Sequence, residues 1–239
     1  MPKTPKTVAA EIRAILKRDG SAEHAKGVQW FFKEEIKSHG WYAADLRRVA
    51  KEYRRMVLKE EGIEFLVRVA DVLFAEKILE EKGVAVLLLE SVTHRLNEEH
   101  FVLFESWIDR VSSWADHDAL VHYLIAPMIA AEPQRAGRVF DWAKSKDRWR
   151  RRAACVALIQ GTRQKMFFPQ IVRLSNQLLC DEDDMVQKGL GWLLRETAKR
   201  DPERTAPYLM KIRARTSRLV LRTACETLSA RDKNAVLAK

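Results

Sequence analysis

Apolar residues recur at helical spacing through almost the whole chain, and few turn formers interrupt them. The spacing predicts helices near residues 6–19, 25–38, 43–60, 62–80, 84–95, 98–111, 116–129, 132–144, 147–160, 166–180, 184–200, 203–215 and 217–230. Breaks are expected at Gly20, His39-Gly40, Gly83, Pro133, Gly161, Pro202 and Pro207. With 9 Gly and 7 Pro in 239 residues, a sheet protein would lack the tight turns it needs. No strand pair and no Gly-rich phosphate loop is visible. Helices joined by short connections imply antiparallel neighbours, and a loose period of roughly 35–40 residues per pair lies in the HEAT range. The expected fold is all-α: HEAT/ARM-like helical repeats stacked into a short curved solenoid, forming one domain over residues 1–239. A compact irregular bundle is the alternative.

Charge narrows the partners. The net charge is +10, and it is unevenly spread. Residues 1–59 carry 14 basic and 7 acidic side chains, residues 60–132 carry 5 and 15, and residues 133–239 carry 24 and 11. Two basic ends around an acidic middle suit a concave basic face that grips a polyanion, although ordinary solubility charge explains a basic chain as well. Cys155, Cys180 and Cys225 form no CxxC or Cys/His cluster, so reduced, mostly buried thiols are expected and no metal site. The first twenty residues lack the apolar core of a secretory signal, and no stretch approaches a membrane span. A cytoplasmic location with no membrane partner follows as the expectation.

Three segments depart from plain helical patterning. In DMVQKGLGWLLRETAKRD, advancing 100° per residue from Trp192 places Lys188, Arg195 and Lys199 within about 60° of the indole. Val186, Leu190, Leu194 and Thr197 fall opposite. A large aromatic on the cationic face suits nucleic acid, and a Trp covering a neighbouring loop is the plainer explanation. In SSWADHDAL, Trp114 and Asp118 share a face at i and i+4, while Asp116 and Asp118 also sit where carboxylates cap helices. In DRWRRRAACVALI, Arg148, Arg150, Arg151 and Arg152 crowd an opening turn, a repulsion that a polyanion would relieve. A solvated charge run is the alternative there.

Together these segments resemble the HEAT-like-repeat DNA alkylation repair glycosylases, the AlkD family. WFFKEEIKSHGWYAADLRRVAKEY (30–53) is similar to that family's opening helical pair, and WIDRVSSWADHDAL (107–120) to its W-x-x-x-D segment. RWRRRAACVAL (148–158) resembles the segment with a phosphate-contacting arginine, and VQKGLGWLLRETAKRDPE (186–203) is the closest match. The resemblance implies that Trp114, Asp118 and Trp192 are catalytic. It also implies that Arg152 or Arg151, with Lys188 and Arg195, binds the DNA backbone. Ala115 departs from the Asp that the family often carries after the first Trp, and His117 is unusual beside the catalytic position.

What the resemblance implies is hydrolysis of the N-glycosidic bond of cationic N3- or N7-alkylpurines, such as 3-methyladenine and 7-methylguanine, in duplex DNA. Such a base leaves as a neutral species, so the barrier lies in the oxocarbenium-like sugar. Asp118 would stabilise that cation and position the water, without a metal or nucleotide cofactor. Alkylated double-stranded DNA is the expected partner, and a monomer without an obligate protein partner the expected state. Two rival functions share the fold: a non-catalytic DNA- or RNA-binding relative, and a HEAT-type scaffold gripping an acidic peptide.

Overall fold

The computed structural model describes residues 3–238, and among them regular structure is helical apart from an isolated parallel bridge between Lys37 and Ile78. This is the all-α architecture expected from the periodicity. The chain divides at Leu124/Ile125 into two compact units.

The first unit contains α1 (Pro5–Arg18), α2 (Ala22–Gln29), α3 (Ala43–Glu60), α4 (Ile63–Phe74), α5 (Leu79–Leu89), α6 (Glu98–Trp107) and α7 (Trp114–Leu120), with 3-10 turns at Glu90–Arg95 and Ile108–Arg110. Thr4 and Thr7 exchange backbone-to-side-chain bonds at the start of α1, and Pro5 occupies the first helical position, where no N–H is needed. The apolar run of α4 buries Phe65, Leu66, Val67, Val69, Ala70, Leu73 and Phe74, and packs against α1, α3 and α5. Burying such side chains contributes ~1.5–3 kcal/mol each. Trp107 completes this core, stacked on Phe74 with ring centroids 4.5 Å apart. Its Nε1 donates to Asp71 Oδ1 at 2.8 Å, so the buried indole keeps a partner.

The helix predicted over 62–80 ends at Phe74, and two further expectations fail in this unit. The helix predicted over 25–38 stops at Gln29. Beyond it, the Gln29 side chain donates to Glu34 O at 2.8 Å and accepts from Ile36 N at 2.8 Å, replacing helical bonds. Glu80 then gathers Ser38 Oγ, His39 N, Gly40 N and Trp41 N around its buried carboxylate, while Leu79 N donates to Lys37 O at 2.9 Å. Gly40 is required at this turn. Its φ is +77°, and a Cβ there would meet Ser21 O at 1.9 Å. The second failure is Gly83, expected as a break, which lies inside α5. That helix begins earlier than predicted because Glu80 and Glu81 suit its positive N-terminal end.

The second unit contains α8 (Ala126–Ala131), α9 (Val139–Trp142), α10 (Arg148–Val156), α11 (Ile159–Thr162), α12 (Phe168–Leu178), α13 (Asp184–Arg200), α14 (Pro202–Ile212), α15 (Arg218–Ala224) and α16 (Ala230–Leu237). The helix predicted over 132–144 is a 3-10 turn, Pro133–Arg138, followed by the single turn of α9. Pro202 opens α14 as expected, but Pro207 lies within that helix instead of ending it, between buried Thr205 and Leu209. α13 is central and packs against α10, α12, α14 and α15. Its glycines permit that crowding: a Cβ on Gly191 would meet Thr223 Cβ at 2.9 Å, and one on Gly189 would meet Arg152 Cγ at 3.1 Å.

The cysteines are free thiols, with Cys155 and Cys225 buried and Cys180 exposed. Burial pushes the Cys155 thiol up to about 12, although nearby Arg152 opposes the rise. Among the described residues no helix is long and apolar enough to cross a membrane. No group of three or more His, Cys, Asp or Glu among them is placed to hold a metal ion.

Candidate nucleic-acid interface

Trp114 and Asp118 belong to the first unit; Arg151, Arg152, Lys188, Trp192 and Arg195 belong to the second. In the first unit, α7 carries both of its residues, one helical turn apart on one face. What fixes the start of α7 is a buried polar knot. Asp116 accepts from Ser112 N at 2.9 Å, Ser113 N at 2.7 Å, Ser112 Oγ at 3.1 Å and Ser113 Oγ at 2.5 Å. Lys82, from α5, adds an ion pair at 2.8 Å and also donates to Ser112 Oγ and Arg110 O. Both charges are nearly inaccessible, at 2% and 1% side-chain exposure. Burial alone would raise the Asp116 carboxyl; the Lys82 charge and hydrogen bond, with the Ser113 side chain and the Ser112 amide, outweigh it and hold it below the ordinary 3.8. Asp116 is therefore the capping carboxylate of this pair. Asp118 faces the other way, partly exposed at 20%, with Oδ1 lying 2.7 Å from Nδ1 of fully buried His117.

Trp114 is half-buried and held by the irregular segment after α2. Phe32 stacks on its indole at 5.0 Å and 16°, and its Nε1 donates to Phe31 O at 3.4 Å. Trp30 and Phe31, the neighbours of Phe32, are 89% and 72% exposed. Three consecutive aromatics thus give Trp114 a stacking partner and leave two large rings facing solvent. Sequence reading placed them within a helical pair and missed this role. The signal was the WFF triplet itself, because consecutive positions cannot all face one helical core.

In the second unit, α13 shows the two faces read from its sequence. Val186, Leu190, Leu194 and Thr197 are buried, Lys188 and Lys199 are exposed, and Trp192 and Arg195 are half-buried. Two cations of this stripe are held by carboxylates: Lys188 by Asp184 at 3.2 Å, and Arg195 by Glu196 at 3.2 Å and Glu226 at 3.0 Å. The arginines of α10 divide by direction. Arg148 pairs with Asp183 and Asp184, and Arg151 with Asp181 at 2.7 Å. Arg152 points inward: it is 6% exposed and donates from Nη1 to Met185 O at 2.6 Å, binding α10 to the start of α13. These carboxylate partners relieve the repulsion between the arginines that the sequence shows unopposed.

Each unit therefore pairs an aromatic plane with charge of defined sign. The first presents indole and carboxylate, able to stack and to stabilise a cation; the second presents indole and cations, able to meet phosphate. The family profile described as "DNA alkylation repair enzyme" matches residues 12–228. No curated protein matches the chain. Among solved structures, the chain is similar to a predicted DNA alkylation repair enzyme from Enterococcus faecalis, with 18% identity, a TM-score of 0.79 and coverage of 88% of this chain and 97% of that one. AlkD2 from Streptococcus mutans aligns at 15% identity with a TM-score of 0.63, covering 95% of this chain and 100% of that one. A third structure, smu.31 from Streptococcus mutans UA159, aligns at 17% identity and a TM-score of 0.58, covering 78% of this chain and 98% of that one. These likenesses carry the fold.

Proposed function

Because this chain belongs to the DNA alkylation repair enzyme family, we propose that it is a DNA glycosylase releasing cationic N3- and N7-alkylpurines, such as 3-methyladenine and 7-methylguanine, from duplex DNA. The observation that supports this most is a partly exposed carboxylate, Asp118, one turn from an indole clamped by Phe32. In the proposed reaction the bond between C1′ and the purine nitrogen breaks, and its electron pair cancels the positive charge of the alkylated ring. Water then bonds to C1′ and gives up a proton, by way of Asp118, to solvent. The products are a neutral base and an abasic site.

Asp118 acts on the positive charge that develops at the sugar, and one preorganised group of this kind supplies on the order of 3 kcal/mol. Trp114 offers a π face to positive charge, worth ~0.5–2 kcal/mol, and Trp192 is the second aromatic assigned to catalysis in this reading. Trp30 and Phe31 extend the aromatic surface beside Trp114. Lys188, Arg195 and Arg151 meet phosphates by exchanging their present carboxylate partners for them, and Arg152 contributes from beneath. The enzyme works as a cytoplasmic monomer and uses no metal or nucleotide cofactor in this reading.

The decisive assay incubates methylated duplex DNA with the protein and identifies released bases by chromatography. Asp118→Asn should lower the rate at least tenfold, a loss of about 1.4 kcal/mol or more of transition-state stabilisation. An unchanged rate would remove the carboxylate from the chemistry. Absence of any released base from wild type would remove the activity altogether.

A further inference from the structure

We propose that His117 is a positioning residue that orients the Asp118 carboxylate and holds it as an acceptor, an inference that rests on Asp118 acting at the damaged nucleotide. Consecutive helical side chains diverge by about 100° and do not ordinarily meet. Here they do: the imidazole is fully buried, yet its Nδ1 lies 2.7 Å from Asp118 Oδ1. An ionised carboxylate has no proton to give, so the proton of this bond sits on Nδ1. The length falls in the range of charge-assisted hydrogen bonds.

Packing alone does not call for histidine at this position. A branched aliphatic side chain at this fully buried position would fill volume but offer Asp118 no donor. Nor is the imidazole needed to anchor the helix start, which Asp116 and Lys82 already fix. What histidine adds is a rigid donor aimed at one oxygen of Asp118. A donor at Nδ1 restricts the carboxylate's rotation, so that Asp118 meets a developing oxocarbenium ion in one preset orientation.

Three substitutions separate a hydrogen-bonding role from a packing one. Asparagine places its amide N–H near the Nδ1 position, glutamine places its own near Nε2, and leucine supplies volume with no donor. His117→Leu and His117→Gln should lower kcat for base release by about tenfold with KM unchanged, the loss expected when a hydrogen bond to a charged group disappears. His117→Asn should recover most of that rate despite its smaller volume. Should glutamine or leucine match wild type, or asparagine do no better than glutamine, the proposal is overturned. A second measurement needs no activity: 15N NMR of the wild-type histidines should show His117 protonated on Nδ1, with a resonance that shifts in Asp118→Asn. Protonation confined to Nε2 would overturn the pairing itself. A wild type that releases no base, yet shows the Nδ1 proton and its dependence on Asp118, would instead refute the glycosylase reading while upholding the pairing.

Discussion

Replacing Lys82 with methionine removes one member of a buried ion pair while nearly preserving side-chain length and volume. The ammonium it deletes touches Asp116, Ser112 Oγ and Arg110 O from a site with 2% exposure. Breaking a buried pair by removing one partner costs roughly 3–5 kcal/mol, because the survivor keeps its desolvation and loses its compensation. Asp116 retains four donors from Ser112 and Ser113, so the lower end of that range, about 3 kcal/mol, is expected. For a chain of this size that corresponds to a fall in Tm of about 6–12 °C.

The sign of the pH dependence follows from the same site. Asp116 is held below the ordinary 3.8 in the folded protein. Its contribution to stability is complete above that value and is lost as pH falls through the lowered one. In Lys82→Met the charge and hydrogen bond that lower the Asp116 carboxyl most are gone, so the carboxyl rises and the acid-dependent loss of stability contributed by Asp116 shrinks. Urea titrations of Lys82→Met, Asp116→Asn and the double variant, repeated across pH 3–7, measure the coupling directly. A cost below about 1 kcal/mol with additive single effects would show that the pair is not the buried, mutually compensating unit described here.

Two glycine substitutions should move stability in opposite directions. A Cβ on Gly83 meets nothing within 4 Å inside α5, so Gly83→Ala should stabilise by ~0.5–1 kcal/mol in a urea melt. On Gly191 it meets Thr223 at 2.9 Å, and Gly191→Ala should destabilise by ~1–2 kcal/mol as α13 and α15 are forced apart; equal effects at the two sites would refute the packing argument. Arg152→Ala should both weaken DNA binding with a flatter salt dependence and lower stability through the lost bond to Met185 O. A normal salt slope with reduced stability would leave Arg152 a purely internal brace.

Much of the protein was legible in sequence because helix formation and amphipathic burial act over a few turns. The period of α13 identified both its core positions and the stripe carrying Lys188, Trp192 and Arg195, since angular position follows from a fixed rise and twist. The W-x-x-x-D spacing likewise placed Trp114 and Asp118 on one face of α7 before any coordinates. Only long-range contacts decided the rest. Residues 39–41 stay out of the helical state because Glu80, some forty positions later, offers their backbone donors a buried carboxylate. Nor could local pattern distinguish the acids of ADHD: Lys82 from α5 makes Asp116 structural, whereas Asp118 is left partly exposed beside a buried imidazole. Periodicity specifies which way a side chain points; what waits there depends on segments that meet only when the chain has folded.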